Sequence, residues 1–319
     1  MIVDLPDTTT SKVSKSLVKI REENGVVALG RVLTLVIAAN PGIEEEAIEA
    51  ANDASREHPM RVIVVATDPD EPAGTAPRLD AEIRVGGDAG ASEVIVLRAQ
   101  GAVARDEESL VMALLLPDAP VVTWWPGSAP EVPGTSPLGR IAQRRITDAS
   151  AQPDPQGALK SLAESYTPGD ADFAWTRLTL WRAQLAAVLD QPPYEEITRV
   201  SVTGAVDSPS TTLLAAWLRL QLDTPTDYEL TPVEEGSHGI HGVRLERASG
   251  IVELIRDVPG VATLRQPGQP LHDVALPRRN LRDCLADELR RLDPDELYGE
   301  VIRGGLALLG TTEGEGATA

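Results

Sequence analysis

The amino-acid sequence predicts an α/β protein of two domains, at residues 1–150 and 151–309, followed by a disordered tail at residues 310–319. The chain has 319 residues, and two domains of about 150 residues are expected for that length. A strand–helix–strand pattern near the N-terminus predicts a βαβ unit within a mixed sheet. In the C-terminal half, a strand and a helix precede short alternating runs, which predict an antiparallel meander followed by terminal helices.

In the N-terminal domain, a helix at residues 11–24 is capped by Thr10 or Ser11. The nearly continuous apolar run at residues 31–39 is typical of a strand that is buried on both faces. The glycine run at residues 86–90 lacks the spacing of a nucleotide-binding loop and predicts a hairpin. The remaining predicted segments are a helix at 43–57, a strand at 61–67, the hairpin strands at 80–85 and 92–97, a helix at 106–116, a strand at 121–123 and a short strand at 146–150.

In the C-terminal domain, a helix over residues 171–190 is capped by Asp170 or Asp172. A strand at residues 197–203 leads through Asp207 and Ser208 into a helix that ends at Leu222. The other predicted segments are a helix at 157–165, meander strands at 242–246, 251–256, 261–265 and 272–276, a helix capped by Asn280, and a last helix at 296–303.

The composition of the chain argues against several classes of protein, among them nucleic-acid-binding and membrane-spanning proteins. The chain carries 49 acidic and 29 basic residues, a net charge of -20, which repels nucleic acids and anionic membranes. No apolar run is long enough for a membrane-spanning helix, and no signal-peptide pattern is present. The single cysteine, Cys284, excludes an internal disulfide and is expected to be buried. These observations predict a cytoplasmic protein.

Aromatic residues are concentrated in one span of the chain. Six of the ten lie between residues 121 and 182. Trp124 and Trp125 end a buried strand, and binding sites gather at the carboxyl ends of parallel strands, although packing under the next loop explains them equally well. Trp175 and Arg182 share a helix face, where they form either a cation–π recognition surface or buried packing.

Few polar residues form a pattern typical of a catalytic, ligand-binding or metal-binding site. Arg140, Arg144 and Arg145 either bind a phosphate or, as the surplus of acids favours, form salt bridges. The spacing of His238 and His241, with Glu234 and Glu235 nearby, resembles a set of metal ligands, but two solvated histidines in a loop are the better interpretation. No phosphate-binding loop or nucleophile elbow occurs. We therefore predict no catalytic, cofactor-binding or metal-binding residue and no enzymatic activity.

The sequence resembles the OpcA family, the glucose-6-phosphate dehydrogenase assembly proteins of actinobacteria and cyanobacteria, in order over most of the chain. The segments that carry the resemblance are residues 25–35 (GVVALGRVLTL), 124–127 (WWPG), 144–148 (RRITD) and 175–182 (WTRLTLWR). The resemblance implies a non-catalytic protein that binds glucose-6-phosphate dehydrogenase, promotes its assembly or active state, and so supports NADPH production by the oxidative pentose phosphate pathway. The cysteine-based redox control of cyanobacterial members does not carry over to a chain with one cysteine.

An allosteric activator must bind the active conformation of its partner more tightly than the inactive one. We predict that this contact uses Trp124, Trp125, Pro126, Arg144, Arg145, Trp175 and Arg182. One alternative is a sugar-phosphate sensor or enzyme that uses Arg140, Arg144 and Arg145 beside the two tryptophans. Another is a scaffold that changes only the oligomeric state of the partner. The oligomeric state of this chain, the stoichiometry and any metabolite control stay open at this point.

Overall fold

A computed structural model of the chain describes residues 1–24, 31–40, 42–86, 93–233 and 238–310. The strands are β1 (Ile2–Leu5), β2 (Leu33–Ala39), β3 (Met60–Ala66), β4 (Arg78–Arg84), β5 (Glu93–Gln100), β6 (Val121–Trp124), β7 (Arg144–Thr147), β8 (Asp170–Asp172), β9 (Ile197–Ala205), β10 (Thr226–Thr231), β11 (Ile240–Arg247), β12 (Gly250–Val258), β13 (Gly260–Arg265) and β14 (His272–Leu276). The helices are α1 (Thr10–Asn24), α2 (Glu44–Ala54), α3 (Glu107–Met112), α4 (Pro137–Arg140), α5 (Pro155–Ser165), α6 (Phe173–Thr176), α7 (Thr179–Leu189), α8 (Pro209–Leu222), α9 (Leu281–Arg290), α10 (Glu296–Glu300) and α11 (Leu306–Gly310).

The predicted α/β class is confirmed, and the chain divides into two compact units. The first unit comprises Met1–Asp148, Gly169–Ala171 and Asn280–Pro294, and the second comprises Ala149–Pro168, Asp172–Arg279 and the chain from Asp295 onward. Residues 280–294, which the sequence assigns to the C-terminal domain, belong to the first unit, where α9 packs on α2. No helix among the described residues is long and apolar enough to cross a membrane.

The first unit is built on an eight-stranded mixed sheet of order β1-β4-β5-β3-β2-β6-β7-β8. Strands β5, β3, β2, β6 and β7 run parallel, whereas β4 and β1 are antiparallel at one edge. The expected βαβ unit is confirmed as β2-α2-β3, with Leu33 opposite Met60. The expected hairpin pairing of β4 with β5 is also confirmed, although residues 87–92 of its loop lie outside the described residues.

Helices cover the sheet of the first unit. On one face, Val13 and Leu17 of α1 and Leu110 of α3 join strand residues in a single core cluster. Helix α2 contacts β2 and β3, and it also contacts α9. Burial on both faces explains why these central strands read as continuous apolar runs. Cys284 of α9 is fully buried, as expected.

The second unit is built on a six-stranded sheet of order β10-β9-β11-β12-β13-β14. Strands β9 and β10 are parallel, and the rest of the sheet is antiparallel, so the predicted strand–helix unit and meander are confirmed. One core cluster joins inward strand residues such as Val202 and Leu254 to helix residues such as Leu213 of α8 and Leu185 of α7.

Several predicted elements have other boundaries. The helix predicted at residues 171–190 is two helices, α6 and α7. At the break between them, the Thr176 carbonyl accepts hydrogen bonds from Thr179 Oγ1 (2.8 Å) and from the Arg279 guanidinium (3.0 Å). In a continuous helix, that carbonyl would instead accept a hydrogen bond from a backbone N–H of the next turn. Strands β1, β8 and β10 were not predicted, and β7 begins at Arg144 instead of residue 146. Residues 25–30, 234–237 and 311–319, which include part of the resemblance segment, Glu234, Glu235 and most of the predicted tail, lie outside the described residues.

Candidate functional site

Trp124 and Trp125 lie where a central parallel strand of the first unit ends. Trp124 is the last residue of β6, opposite Ile37 of β2 and Ile146 of β7, and its side chain is fully buried. The Trp125 amide donates to the Ile146 carbonyl (2.9 Å), so the extended chain continues one residue further. The Trp125 ring, 5% exposed, belongs to the core cluster of α1 and α3. Both rings therefore support the sheet.

The loop after these tryptophans passes close to the start of α2. Pro126 is partly exposed. A Cβ atom at Gly127 would lie 2.8 Å from Cδ1 of Ile43, so a larger residue there would push against the start of α2. Of the predicted residues at this strand end, Pro126 is the one that reaches the surface.

Arg144 is anchored in a buried ion pair. It lies on β7, and its Nε donates to Glu288 of α9 (2.8 Å) while Nη1 donates to the Asp293 carbonyl (2.9 Å). The two side chains are 5% and 7% exposed. A buried guanidinium with these fixed partners ties together two segments of the first unit that are far apart in the sequence.

Arg145 is anchored in the same way. It forms an ion pair with Asp170, and its Nη1 donates to the Ala142 carbonyl (3.0 Å). Glycine is required at Gly169 because its φ is +98° and because a Cβ atom would lie 2.5 Å from the Gln143 carbonyl oxygen and 2.9 Å from Nη2 of Arg145. Arg140 pairs with Glu108 at the surface (2.8 Å). The salt-bridge interpretation of the three arginines is thus confirmed.

A second buried carboxylate of the first unit, that of Glu93, lies within ion-pair distance of three arginines. Glu93 accepts from Arg21 (2.7 Å) and Arg61 (2.8 Å), and Arg31 lies 3.6 Å away. Burial raises the pKa of Glu93, but hydrogen bonding to Arg21 and the charges of the three arginines outweigh it, so the pKa is lowered overall. Burial lowers the pKa of Arg61, and Arg21 and Arg31 lower it further, whereas Glu93 raises it. Both directions fit a cluster with more positive than negative charge.

Trp175 and Arg182 form the predicted cation–π pair in the second unit. The Arg182 Cζ lies 3.8 Å from the ring centroid of Trp175, whose side chain is 2% exposed. The indole Nε1 donates to Asp295 (2.9 Å), and the ring of Tyr298 packs at 5.7 Å. Trp175 is therefore a core residue, whereas Arg182 is partly exposed above it.

The predicted site residues consequently fall into two groups. Trp124, Trp125, Pro126, Arg144 and Arg145 lie in the first unit, and Trp175 and Arg182 lie in the second. Pro126 and Arg182 are accessible, while the other five are less than a tenth exposed. The contact with a partner stays a prediction for all seven.

Sequence reasoning missed a cavity in the second unit that three arginines line. The cavity has a volume of about 30 Å³, and its lining includes Arg177, Arg256, Arg278, Ser208 and Ser210. These arginines are far apart in the sequence, so no local motif signals them. The structure brings them together beside the first turn of α8.

The paired histidines are candidate metal ligands by sequence. His238 Nδ1 lies 2.6 Å from Asp207 Oδ2. Among the residues that the structure describes, no group of three or more His, Cys, Asp or Glu side chains is arranged to hold a metal ion. Glu234 and Glu235 lie outside the described residues.

Comparisons with known proteins place both halves of the chain in one family. A family model for the N-terminal domain of a glucose-6-phosphate dehydrogenase subunit matches residues 51–164. A second model, for the C-terminal domain of the same kind of subunit, matches residues 168–302. No curated protein sequence matches the chain.

Solved structures of oxidoreductases are similar at low identity. An inositol dehydrogenase homolog from Azotobacter vinelandii, in complex with NADH and myo-inositol, is 10% identical with a TM-score of 0.45 and covers 88% of this chain and 90% of its own. An oxidoreductase from Pseudomonas syringae is 10% identical with a TM-score of 0.44 and covers 89% and 98%. A levoglucosan dehydrogenase in complex with NADH and levoglucosan is 9% identical with a TM-score of 0.46 and covers 88% and 98%.

Proposed function

Because this chain belongs to the OpcA family of glucose-6-phosphate dehydrogenase assembly proteins, we propose that it binds glucose-6-phosphate dehydrogenase and shifts that enzyme toward its active state. The proposal rests on the two family models, which match in order from residue 51 to residue 302. In this proposal the chain is a cytoplasmic, non-catalytic activator. It raises NADPH production in the oxidative pentose phosphate pathway by acting on the partner.

The energy that such an activator must supply is modest. A tenfold shift in the partner's conformational equilibrium needs about 1.4 kcal/mol of difference in affinity between the two states. One well-packed interface side chain contributes that much. A small, ordered contact surface on this chain is therefore sufficient.

We propose that Arg182 belongs to that surface. Its guanidinium is held at 3.8 Å on the ring of Trp175, which is itself fixed by Asp295 and Tyr298. A held guanidinium loses little conformational entropy when it binds a carboxylate. Trp175 acts in this proposal as the support of the contact.

Pro126 belongs to the contact in the same proposal, with Trp124 and Trp125 as its support. The two buried rings fix the end of β6, and the partly exposed Pro126 follows directly. Arg144 and Arg145 then act from the next strand, by holding β7 in register through their ion pairs. The buried residues of the predicted site would thus shape the contact surface from beneath.

The direct test is the activity of purified glucose-6-phosphate dehydrogenase at subsaturating substrate, with and without this chain. We expect the rate to rise with dose and to saturate at a fixed ratio, which also gives the stoichiometry. Absence of any rate change together with absence of co-elution on a sizing column would contradict the proposal. Co-elution without a rate change would instead support a scaffold that alters only assembly.

The contact surface is tested with two arginine variants of the second unit. Arg182→Ala removes the guanidinium above Trp175, and Arg303→Ala removes an exposed guanidinium that lies 5.3 Å from the ring of Tyr166. Both lose one charge and one cation–π contact, so both should cost about 0.5–1 kcal/mol of stability. We expect only Arg182→Ala to raise, by about tenfold, the concentration that gives half-maximal activation. Equal activation curves would remove Arg182 from the contact.

A further inference from the structure

The arginine-lined cavity of the second unit is assembled from six separate segments of the chain. Arg177 lies in the turn between α6 and α7, Arg256 on β12, and Arg278 just after β14. Ser208 and Ser210 belong to the start of α8. The fold thus brings three guanidinium groups and the hydroxyl groups of three serines, the third being Ser150, to one cavity of about 30 Å³.

Positive side chains outnumber negative ones among the described residues that line this cavity, in a chain with a net charge of -20. None of those described lining residues is acidic. Among the residues that the structure describes, neither Arg256 nor Arg278 has a carboxylate within ion-pair distance. Burial lowers the pKa of the Arg256 guanidinium, and the charge of Arg278 lowers it further. Two like charges that face one cavity are stabilised when an anion enters it.

Arg256 is held in place by contacts that do not neutralise it. Its Nη2 donates to the Ile240 carbonyl (2.7 Å), and its Cζ lies 5.6 Å from the ring centroid of Trp181. Trp181 also lines the cavity. The guanidinium is therefore preorganised by a carbonyl and an aromatic ring, with donors left over for a ligand.

The start of α8 adds neutral donors. Ser208 and Ser210 are buried side chains, 4% and 7% exposed. The Ser210 hydroxyl donates to the Ala174 carbonyl (2.8 Å), so of these two hydroxyls only that of Ser208 can donate to a ligand. The Ser208 hydroxyl accepts from Thr211 Oγ1 (3.0 Å), so its own proton points elsewhere. Helix α8 has 14 residues, and the positive end of its dipole lies at this cavity. Arginine, hydroxyl and helix-end donors together are the set that binds phosphate groups.

The cavity adjoins a larger cleft of about 700 Å³. The two share Ile240, Arg256, Pro277 and Arg278. The cleft is further lined by apolar residues such as Val258 and by the polar side chains of His238, His241 and Asp257. The small cavity suits one phosphate group, and the cleft has room for the body of a small molecule. We propose that the second unit binds a phosphorylated small molecule, with its phosphate monoester between Arg177, Arg256 and Arg278 and its remaining part in the cleft.

This site differs from the arginine group that the sequence suggested, since Arg140, Arg144 and Arg145 already pair with carboxylates of the first unit. A phosphate monoester carries up to two negative charges and matches the guanidinium groups of Arg256 and Arg278 better than a single carboxylate does. The proposal concerns the isolated chain, so it stands or falls independently of the partner enzyme.

The test is calorimetric titration of the full chain with glucose 6-phosphate, glycerol 3-phosphate and AMP, with glucose, glycerol and inorganic phosphate as references. We expect saturable binding of at least one monoester, no binding of glucose or glycerol, and weaker binding of inorganic phosphate, because only a monoester also fills the cleft. No saturable binding of any monoester would overturn the proposal. Equal affinity for inorganic phosphate and for every monoester would overturn the role of the cleft.

A matched pair of variants locates the site. Arg278→Ala removes an exposed cavity arginine, and Arg265→Ala removes an exposed arginine on β13 that pairs with Glu253 outside the cavity. Both variants lose one charge and should fold, because both side chains are exposed. We expect Arg278→Ala to weaken monoester binding at least tenfold and Arg265→Ala to leave it within twofold. The same affinity in both variants would place the bound phosphate elsewhere.

Discussion

Two groups of arginines, one in each unit, have different kinds of partner. In the first unit, the buried Arg61, Arg144 and Arg145 each contact a buried carboxylate. In the second unit, Arg256 and Arg278 face a cavity lined by hydroxyl groups, an aromatic ring and a third arginine. The first arrangement is complete within the fold, whereas the second is completed by an external anion.

This difference shows which arginines stabilise the protein and which are available for binding. A buried pair that loses one member leaves an uncompensated charge in the interior. A cavity with excess positive charge carries a cost already in the folded protein, and a bound anion relieves it. Stability measurements on single variants therefore distinguish the two arrangements.

The largest effect is expected for the Arg144–Glu288 pair. Glu288→Ala leaves the Arg144 guanidinium buried beside the Asp293 carbonyl but without its carboxylate, and we expect a loss of about 3–5 kcal/mol in the free energy of unfolding. Urea denaturation followed by circular dichroism measures it. Loss of less than about 1 kcal/mol would mean that the pair does not hold the unit together.

The control for that variant is the surface pair of Arg140 and Glu108. Their side chains are 56% and 36% exposed, and their charged atoms lie 2.8 Å apart. Glu108→Ala should therefore cost no more than about 1 kcal/mol, since solvent screens an exposed pair. Because both variants remove one glutamate from an arginine pair, the difference between their losses of unfolding free energy measures the effect of burying the pair.

A pH dependence of stability, separate from the loss of the ion pairs themselves, is expected at Glu93. Its pKa is lowered in the folded chain, so the resulting stability is present above the ordinary pKa of 4.5 and is lost as the pH falls through the folded value. Glu93→Gln should remove this contribution and flatten the dependence of the unfolding free energy on pH below 4.5. Urea midpoints measured across a series of acidic pH values test this expectation.

Glu107 provides a control of opposite sign. Burial raises its pKa, so ionisation of Glu107 destabilises the fold once the pH exceeds the ordinary value of 4.5. Glu107→Gln should increase stability at neutral pH relative to acidic pH, whereas Glu93→Gln should decrease it. Parallel pH profiles for the two variants would contradict the assignment of both shifts.

Local patterns were sufficient for most of the fold. Continuous apolar runs identified β2 and β3, and the alternating runs identified the meander, because burial on two faces and on one face leaves different periodicities. The position of α9 was not predictable, since its packing partner α2 lies more than 200 residues earlier. Strands β1 and β8 are too short to carry a pattern of their own.

The site residues were harder to interpret than the fold. Arg144 and Arg145 attracted attention because they are adjacent, but on a strand adjacent side chains point to opposite faces and meet different partners. The arginines of the cavity are separated by whole secondary structure elements, so only tertiary structure brings them together. Trp175 and Arg182, predicted as a pair from helical spacing, do meet, even though a helix break lies between them.

The smallest effect on stability is expected for Arg278. Replacing it by alanine removes an exposed charge that repels the partly buried Arg256, so stability without ligand should be unchanged or higher by a few tenths of a kcal/mol, about the range of surface substitutions. Urea denaturation in buffer that contains no phosphate tests this, and Arg265→Ala, which breaks an exposed pair with Glu253, is the reference. A loss of stability in Arg278→Ala as large as in Glu288→Ala would show that the cavity arginine is structural. Unchanged stability, combined with the loss of phosphate monoester binding, would show instead that Arg278 serves ligand binding and not the stability of the fold, whereas increased stability would show that it serves binding at some expense to the unliganded fold.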